Sequence, residues 1–157
     1  MIPRLVAFDM DGTLTSEPSS WEYIHRRFGM WDGRADWYLA SFLRGEITYM
    51  EFSRLDAAEW RGISRSRILK TLDEIEYVPC ARELLAALKR AGAVTALISS
   101  GLLLLAERVG RELGLDYVYA NELVSAGDLM TGDVRINVSI DDPSLTKGAI
   151  LESLATR

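Results

Sequence analysis

Two carboxylates set one residue apart, Asp9 and Asp11 in the run Phe8-Asp9-Met10-Asp11-Gly12-Thr13-Leu14, are the side chains in this sequence best suited to chemistry. Gly12 lets the backbone turn sharply behind them and direct the N–H groups of the Gly12-Thr13 turn inward. A second group is Ser99-Ser100-Gly101, hydroxyls followed by a turn into a helix N-terminus, where free N–H groups favour an anion. The third is Lys147, at the opening of the last helix. A hydroxyl, a helix N-terminus and an ammonium gathered around two carboxylates would enclose a phosphate and a divalent cation together. Two carboxylates repel a phosphate dianion, so a hard cation such as Mg²⁺ is needed to bring them together. Asp9 then attacks phosphorus as a covalent nucleophile. Asp11 protonates the leaving oxygen and later takes a proton from water, provided its surroundings raise its pKa. Lys147 and Ser99 neutralise and hydrogen-bond the phosphoryl oxygens.

These groups lie far apart in sequence, so a fold must gather them. Leu5 to Phe8 is apolar on both faces and predicts a buried strand that ends at Asp9. From Pro18 to Tyr77 the period becomes helical. Trp21, Ile24, His25 and Phe28 follow i, i+3, i+4, i+7, and Leu39, Phe42 and Leu43 repeat part of it. This stretch holds all four Trp, four of the six Tyr and three of the four Phe, which predicts a small helical subdomain with its own core. Beyond Pro79 the chain is aliphatic. It reads as a helix over Cys80 to Arg90, a strand over Ala93 to Ile98, a helix over Leu102 to Leu113 and a strand over Tyr117 to Ala120. A hairpin follows, from Leu123 to Ser125 and through Val134, Ile136 and Val138, with a last helix from Thr146. The expected fold is an open, Rossmann-like parallel α/β sheet, built from residues 1–16 and 78–157, with a helical cap over 17–77 inserted after the first strand. Ligands in such sheets bind beyond the carboxyl ends of the strands, where Asp9 and Ser99 fall.

The whole composition agrees with one globular domain: 157 residues, 48% hydrophobic and 26% charged. A net charge of −5, with 18 scattered Lys and Arg, argues against nucleic acid as a main partner. The longest apolar run, Val94 to Ala106, is interrupted by Ser99 to Gly101 and is shorter than the roughly 20 residues of a membrane span. No signal-peptide order is visible at the start, so a cytoplasmic location is expected. The single cysteine, Cys80, excludes an intrachain disulfide. His25 sits on an apolar stripe and reads as a packing residue. The aromatic cluster reads chiefly as the cap's core, with Trp21 or Trp60 free to line a pocket.

Phe8 to Leu14 resembles the first motif of the haloacid dehalogenase-like (HAD) superfamily, Ile98-Ser99-Ser100-Gly101 the second, and Lys147-Gly148 the third. The run from Leu113 to Leu123, followed by Thr131-Gly132-Asp133-Val134, resembles its phosphoserine phosphatase branch, which carries a helical cap where this chain has its aromatic insertion. The resemblance implies Asp9 as nucleophile, Asp11 as acid/base with its main-chain oxygen on Mg²⁺, Ser99 on the phosphoryl group, and Lys147 bridging that group to Asp9. Gly12, Thr13, Ser100 and Gly101 complete the expected phosphate contacts. The metal is expected on Asp9 and Asp11, and a small phosphorylated metabolite is the expected partner.

Two features depart from that pattern. The family ends its catalytic set with a Gly-Asp-Gly-x-Asn-Asp-like motif after the lysine-bearing helix, and none follows Lys147 here. Asp141 and Asp142 precede Lys147, on the hairpin side of the pattern, and are not expected to bind the metal. The expectation is that several dozen C-terminal residues have been lost and that the chain as it stands binds Mg²⁺ weakly and turns over slowly or not at all. The second departure concerns the substrate: the acidic position expected in the cap is near Glu17 and Pro18, while the helix from Thr48 to Trp60 offers Asp56 where a cation would grip a substrate carboxylate. Glu17 and Asp56 stand open between cap surface and substrate contact, and a phosphomonoester other than phosphoserine is admitted. A silent phosphate-binding or regulatory protein, and a phosphotransferase or mutase, are the alternatives to a Mg²⁺-dependent phosphatase.

Overall fold

The computed structural model describes residues 4–156. Four strands form one sheet in the order β1 (Leu5–Phe8), β2 (Val94–Leu102), β3 (Tyr117–Ala126) and β4 (Leu129–Arg135). The first three run parallel and β4 returns antiparallel as the second arm of a hairpin. The hairpin and the preceding strand are continuous: the two strands expected at Tyr117 to Ala120 and Leu123 to Ser125 are both part of β3.

Helix α5 (Ala81–Arg90) leads into β2, and α6 (Leu103–Leu113) carries the chain from β2 to β3. The other face of the sheet is covered by α7 (Lys147–Ala155), whose Leu154 and Ile150 pack with Ala96, Ile98 and Val138. Cys80, just ahead of α5, is exposed, with φ +66°.

Between Thr15 and Tyr77, which meet in an isolated antiparallel bridge, the chain makes four helices: α1 (Ser20–Arg27), α2 (Gly33–Leu43), α3 (Tyr49–Glu59) and α4 (Arg65–Leu72). Their starts are written locally. Ser19, Asp32, Thr48 and Ser64 each accept a backbone N–H of the first turn through the side chain, and Thr48 with Glu51 forms a full capping box. Part of the insertion packs within itself, as Phe42 does against Phe52 and Tyr49, and part of it packs on the sheet layer. Ile24, Trp60, Ile68 and Leu72 belong to one apolar cluster with Leu97, Leu102, Leu105 and Val109 of the sheet layer. Helices of 8 to 11 residues are too short to bury enough apolar surface alone, so they complete it against the sheet.

β1 is also less buried than its composition predicts. Among the described residues it pairs only with β2, and Ala7 is exposed. Among the described residues no helix is long and apolar enough to cross a membrane.

Candidate active site

The register of β1 against β2 sets Phe8 beside Leu97, so that Asp9 leaves its strand level with Ile98, one residue before Ser99. The β2–β3 register then shifts: Ile98 pairs with Tyr119 but Leu102 pairs with Asn121. Four residue steps on β2 therefore oppose two on β3, and Ser99, Ser100 and Gly101 bulge out of the ladder at the carboxyl end of the sheet. The expected turn into a helix is thus a bulged strand end, with α6 starting only at Leu103. Gly101 is required there by close approach, since a Cβ would lie 2.6 Å from Asp11 Oδ2.

Both oxygens of Asp9 are held. Oδ1 accepts the Met10 N–H at 2.8 Å, and Oδ2 lies 2.6 Å from Lys147 Nζ. Lys147 occupies the first position of α7, where the positive end of the helix dipole opposes a cation. The Asp9 carboxylate offsets that local conflict. Their side chains are 42% and 44% exposed, so the pair contributes at most about 1 kcal/mol to stability and leaves the carboxylate reachable from solvent.

Asp11 faces the same cavity in a different environment. Its Oδ2 accepts the Ser20 N–H at 3.1 Å and the Ser20 hydroxyl at 2.9 Å, while its Oδ1 is buried without a hydrogen-bond partner. Burial pushes its carboxyl above the usual value; the two Ser20 bonds oppose the rise and the neighbouring Asp9 charge adds to it. Asp9 is thus paired with an ammonium, while burial favours the protonated form of Asp11. Buried Ser99 lines the cavity between them, its Oγ accepting the Gly101 N–H at 3.0 Å.

The cavity, of about 330 Å³, extends from Asp9, Asp11 and Ser99 into the space under α1, α2 and α3. Its far walls are Trp21, Trp31, Leu39, Phe42, Tyr49 and Phe52, with Asp56 at the back. Phe42 stacks on Phe52 at 5.3 Å and Trp21 on Trp60 at 5.2 Å. Trp60 and His25 are fully buried behind that wall, with ring centroids 4.9 Å apart. His25 packs as expected, and it also faces Asp56, with Nε2 3.3 Å from Oδ1. Burial pushes the Asp56 carboxyl upward, against the opposing effect of His25.

Asp9, Asp11, Ser99, Ser100 and Gly101 therefore line one cavity with Trp21 and Asp56, and Lys147 reaches its edge through Asp9. Gly12, Thr13 and Glu17 do not line it. The Gly12 N–H, at φ +68°, donates to the Glu17 carbonyl at 2.7 Å and the Thr13 N–H to the Met10 carbonyl at 3.1 Å. The turn thus consumes internally the N–H groups that the sequence reading aimed inward, and Pro18 takes the cavity position near Glu17.

Sequence reasoning missed Ser20, Tyr49, Asn121 and the role of Asp141. The Ser100 carbonyl accepts from Trp21 Nε1 at 3.2 Å, the Tyr49 hydroxyl at 2.8 Å and Asn121 Nδ2 at 3.0 Å, which ties the helical insertion to the sheet. Asp141 Oδ2 accepts the Tyr49 N–H at 2.7 Å and so caps α3 from across the cavity mouth. Asp142 is engaged locally by Ser144. The helix expected from Thr48 to Trp60 is observed as α3; nothing in one sequence links Tyr49 to Asn121 or Asp141.

Among the described residues no three Asp, Glu, His or Cys side chains gather closely enough to hold a metal ion. The oxygen donors at Asp9 and Asp11 nonetheless suit Mg²⁺, which is usually held by one or two carboxylates together with waters and phosphate oxygens. The unpartnered buried Oδ1 and the mutual repulsion of the two carboxyls mark the place where positive charge is wanted.

A family model described as haloacid dehalogenase-like hydrolase matches residues 6–155. A phosphoserine phosphatase of Archaeoglobus fulgidus is 32% identical over 154 residues, covering 98% of this chain and 43% of that protein. Another, from Methanocaldococcus jannaschii, is 28% identical over 152 residues and 70% of its own length is covered. Among solved structures, one described as a phospho-aspartyl intermediate analogue of phosphoserine phosphatase superposes with a TM-score of 0.79 at 26% identity, over 99% of this chain and 72% of the other.

Proposed function

Since the chain belongs to the haloacid dehalogenase-like hydrolase family, we propose that its cavity hydrolyses a small phosphate monoester through an aspartyl-phosphate on Asp9, with Mg²⁺ as the cation. The observation that carries this reading is the convergence of Lys147 Nζ, 2.6 Å from Asp9 Oδ2, with Ser99 and Asp11 on one cavity. Similarity to phosphoserine phosphatases supports the reaction class.

Mg²⁺ would be held by the Asp9 carboxylate and the main-chain oxygen of Asp11, and when bound it supplies charge neutralisation between carboxylates and phosphate. An Asp9 oxygen forms a bond to phosphorus as the ester P–O bond breaks. The departing alcohol oxygen takes the proton of the Asp11 carboxyl, which burial favours in its protonated form. Water then attacks phosphorus and gives its proton to the Asp11 carboxylate, so that inorganic phosphate and free Asp9 are regenerated. Lys147 and the Ser99 hydroxyl hold the phosphoryl oxygens throughout. The Trp21, Tyr49 and Asn121 bonds to Ser100 fix the bulge that presents Ser99.

Phosphate release from p-nitrophenyl phosphate tests the reading. Mg²⁺-dependent release that is lost in Asp9→Asn supports it. Release that Asp9→Asn leaves intact overturns it, and phosphate binding without release even with Mg²⁺ in excess favours a silent binding protein.

A further inference from the structure

The far half of the cavity has a chemistry that the phosphoryl half does not explain. Its walls are aromatic rings, and among the described residues that line it there is no Lys, Arg or His, whereas Glu22 and Asp56 both contribute carboxylates. Glu22 is paired outward with Arg26, at 2.6 Å. Lys147 is engaged by Asp9 at the opposite end. Asp56 is the informative group. It is 3% exposed and lines the cavity, with its Oδ1 3.3 Å from His25 Nε2 behind the aromatic wall. A substrate carboxylate at this depth would meet the Asp56 carboxyl and ring faces, with no Lys or Arg among the lining residues to receive it. A positive group on a short carbon chain would instead meet ring faces, which attract cations through their quadrupoles, and a carboxylate behind them.

We infer that the alcohol half of the substrate is a short alkylammonium group without a carboxylate, seated among Trp21, Trp31, Phe42 and Phe52 with its positive end toward Asp56. This rests on the phosphatase reading, because the phosphoryl group must occupy the Asp9 end for the alcohol to project to Asp56. The cavity's size fits the assignment: about 330 Å³ admits a small phosphorylated amino alcohol and leaves little room for a nucleotide or sugar chain.

The inference is tested on this chain by tryptophan fluorescence with a matched series in the presence of Mg²⁺: inorganic phosphate, ethyl phosphate, 2-aminoethyl phosphate and O-phosphoserine. The last is 2-aminoethyl phosphate with a carboxylate added. The expected result is that 2-aminoethyl phosphate binds about tenfold more tightly than ethyl phosphate and than O-phosphoserine, the gain a desolvated cation on aromatic faces provides. Asp56→Asn narrows the gap over ethyl phosphate to about twofold. Phe42→Leu, which leaves the His25–Asp56 pair in place, narrows it as well, so the result does not depend on one variant folding. O-phosphoserine binding as tightly as 2-aminoethyl phosphate, or ethyl phosphate matching it, overturns the inference while inorganic phosphate binding keeps the phosphatase reading. Failure of inorganic phosphate and every ester to bind removes both.

Discussion

The two ends of the cavity are built on opposite physical terms. At the phosphoryl end, Asp9 and Lys147 are more than two-fifths exposed and joined by an ion pair that adds little to stability, and the buried oxygen of Asp11 has no partner. At the other end, Trp60, His25 and Ile24 are fully buried, with Trp60 stacked on Trp21 and tilted against His25. In the proposed function the chemistry falls where the structure is polar and locally unfavourable, and shape where it is packed. Substitutions should therefore separate turnover from folding according to the end they strike.

After the loss expected in Asp9→Asn, the largest effect is expected at Asp11. Asp11→Asn keeps the size and the Ser20 contacts but removes the transferable proton, so turnover of an alkyl phosphate should fall by about 10²- to 10⁴-fold. An aryl phosphate, whose leaving oxygen needs less protonation, should lose much less, and the melting temperature should not fall. Equal losses for both substrates would break the assignment of Asp11 as the acid. At the other end, Trp60→Ala should cost about 3–5 kcal/mol in urea unfolding, because it empties a fully buried position between Trp21 and His25. A cost under about 1 kcal/mol would mean that the aromatic wall is not the packed end.

Asp56 sharpens the contrast through pH. Burial raises its carboxyl above the usual 3.8, with His25 opposing and Glu59 adding to the rise. A carboxyl with a higher value folded than unfolded stabilises the fold below the unfolded value, and that contribution is lost as pH rises through the folded value. Asp56→Asn should therefore gain melting temperature relative to the parent chain as pH is raised from 4 to 7; a gain in the opposite direction would mean that His25 dominates. The smallest effect is expected at the mouth, where Asp141→Ala removes the cap on α3 and should cost about 0.5–1 kcal/mol in urea unfolding. A neutral result there would show that Thr48 and Glu51 suffice to cap that helix.

How much of this was legible in the sequence follows the same division. Asp9, Asp11, Ser99 and Lys147 were readable because strand ends and a helix start place them by short-range rules. The parallel sheet and the hairpin were readable from alternating periods. Gly12 and Thr13 were misjudged because a turn can satisfy its own N–H groups, as the Glu17 and Met10 carbonyls do here. The helical insertion was expected to hold its own core because its aromatics cluster in sequence; Phe42, Tyr49 and Phe52 do pack together, while Trp60 and Ile68 join the aliphatic residues of the sheet layer. The links from Tyr49 to Asn121 and from Tyr49 to Asp141 join residues 72 and 92 positions apart and leave no local signal.

The central claim is that Asp9 carries the phosphoryl group during turnover. Borohydride quenching of the protein mixed with a phosphate ester and Mg²⁺, followed by mass spectrometry of the Asp9 peptide, tests it directly, because an acyl phosphate is reduced to homoserine and a free carboxylate is not. The account predicts homoserine at position 9 only when ester is present, and none in Asp9→Asn. Phosphate release from the ester with residue 9 still aspartate after quenching, or homoserine at another carboxylate, would contradict it.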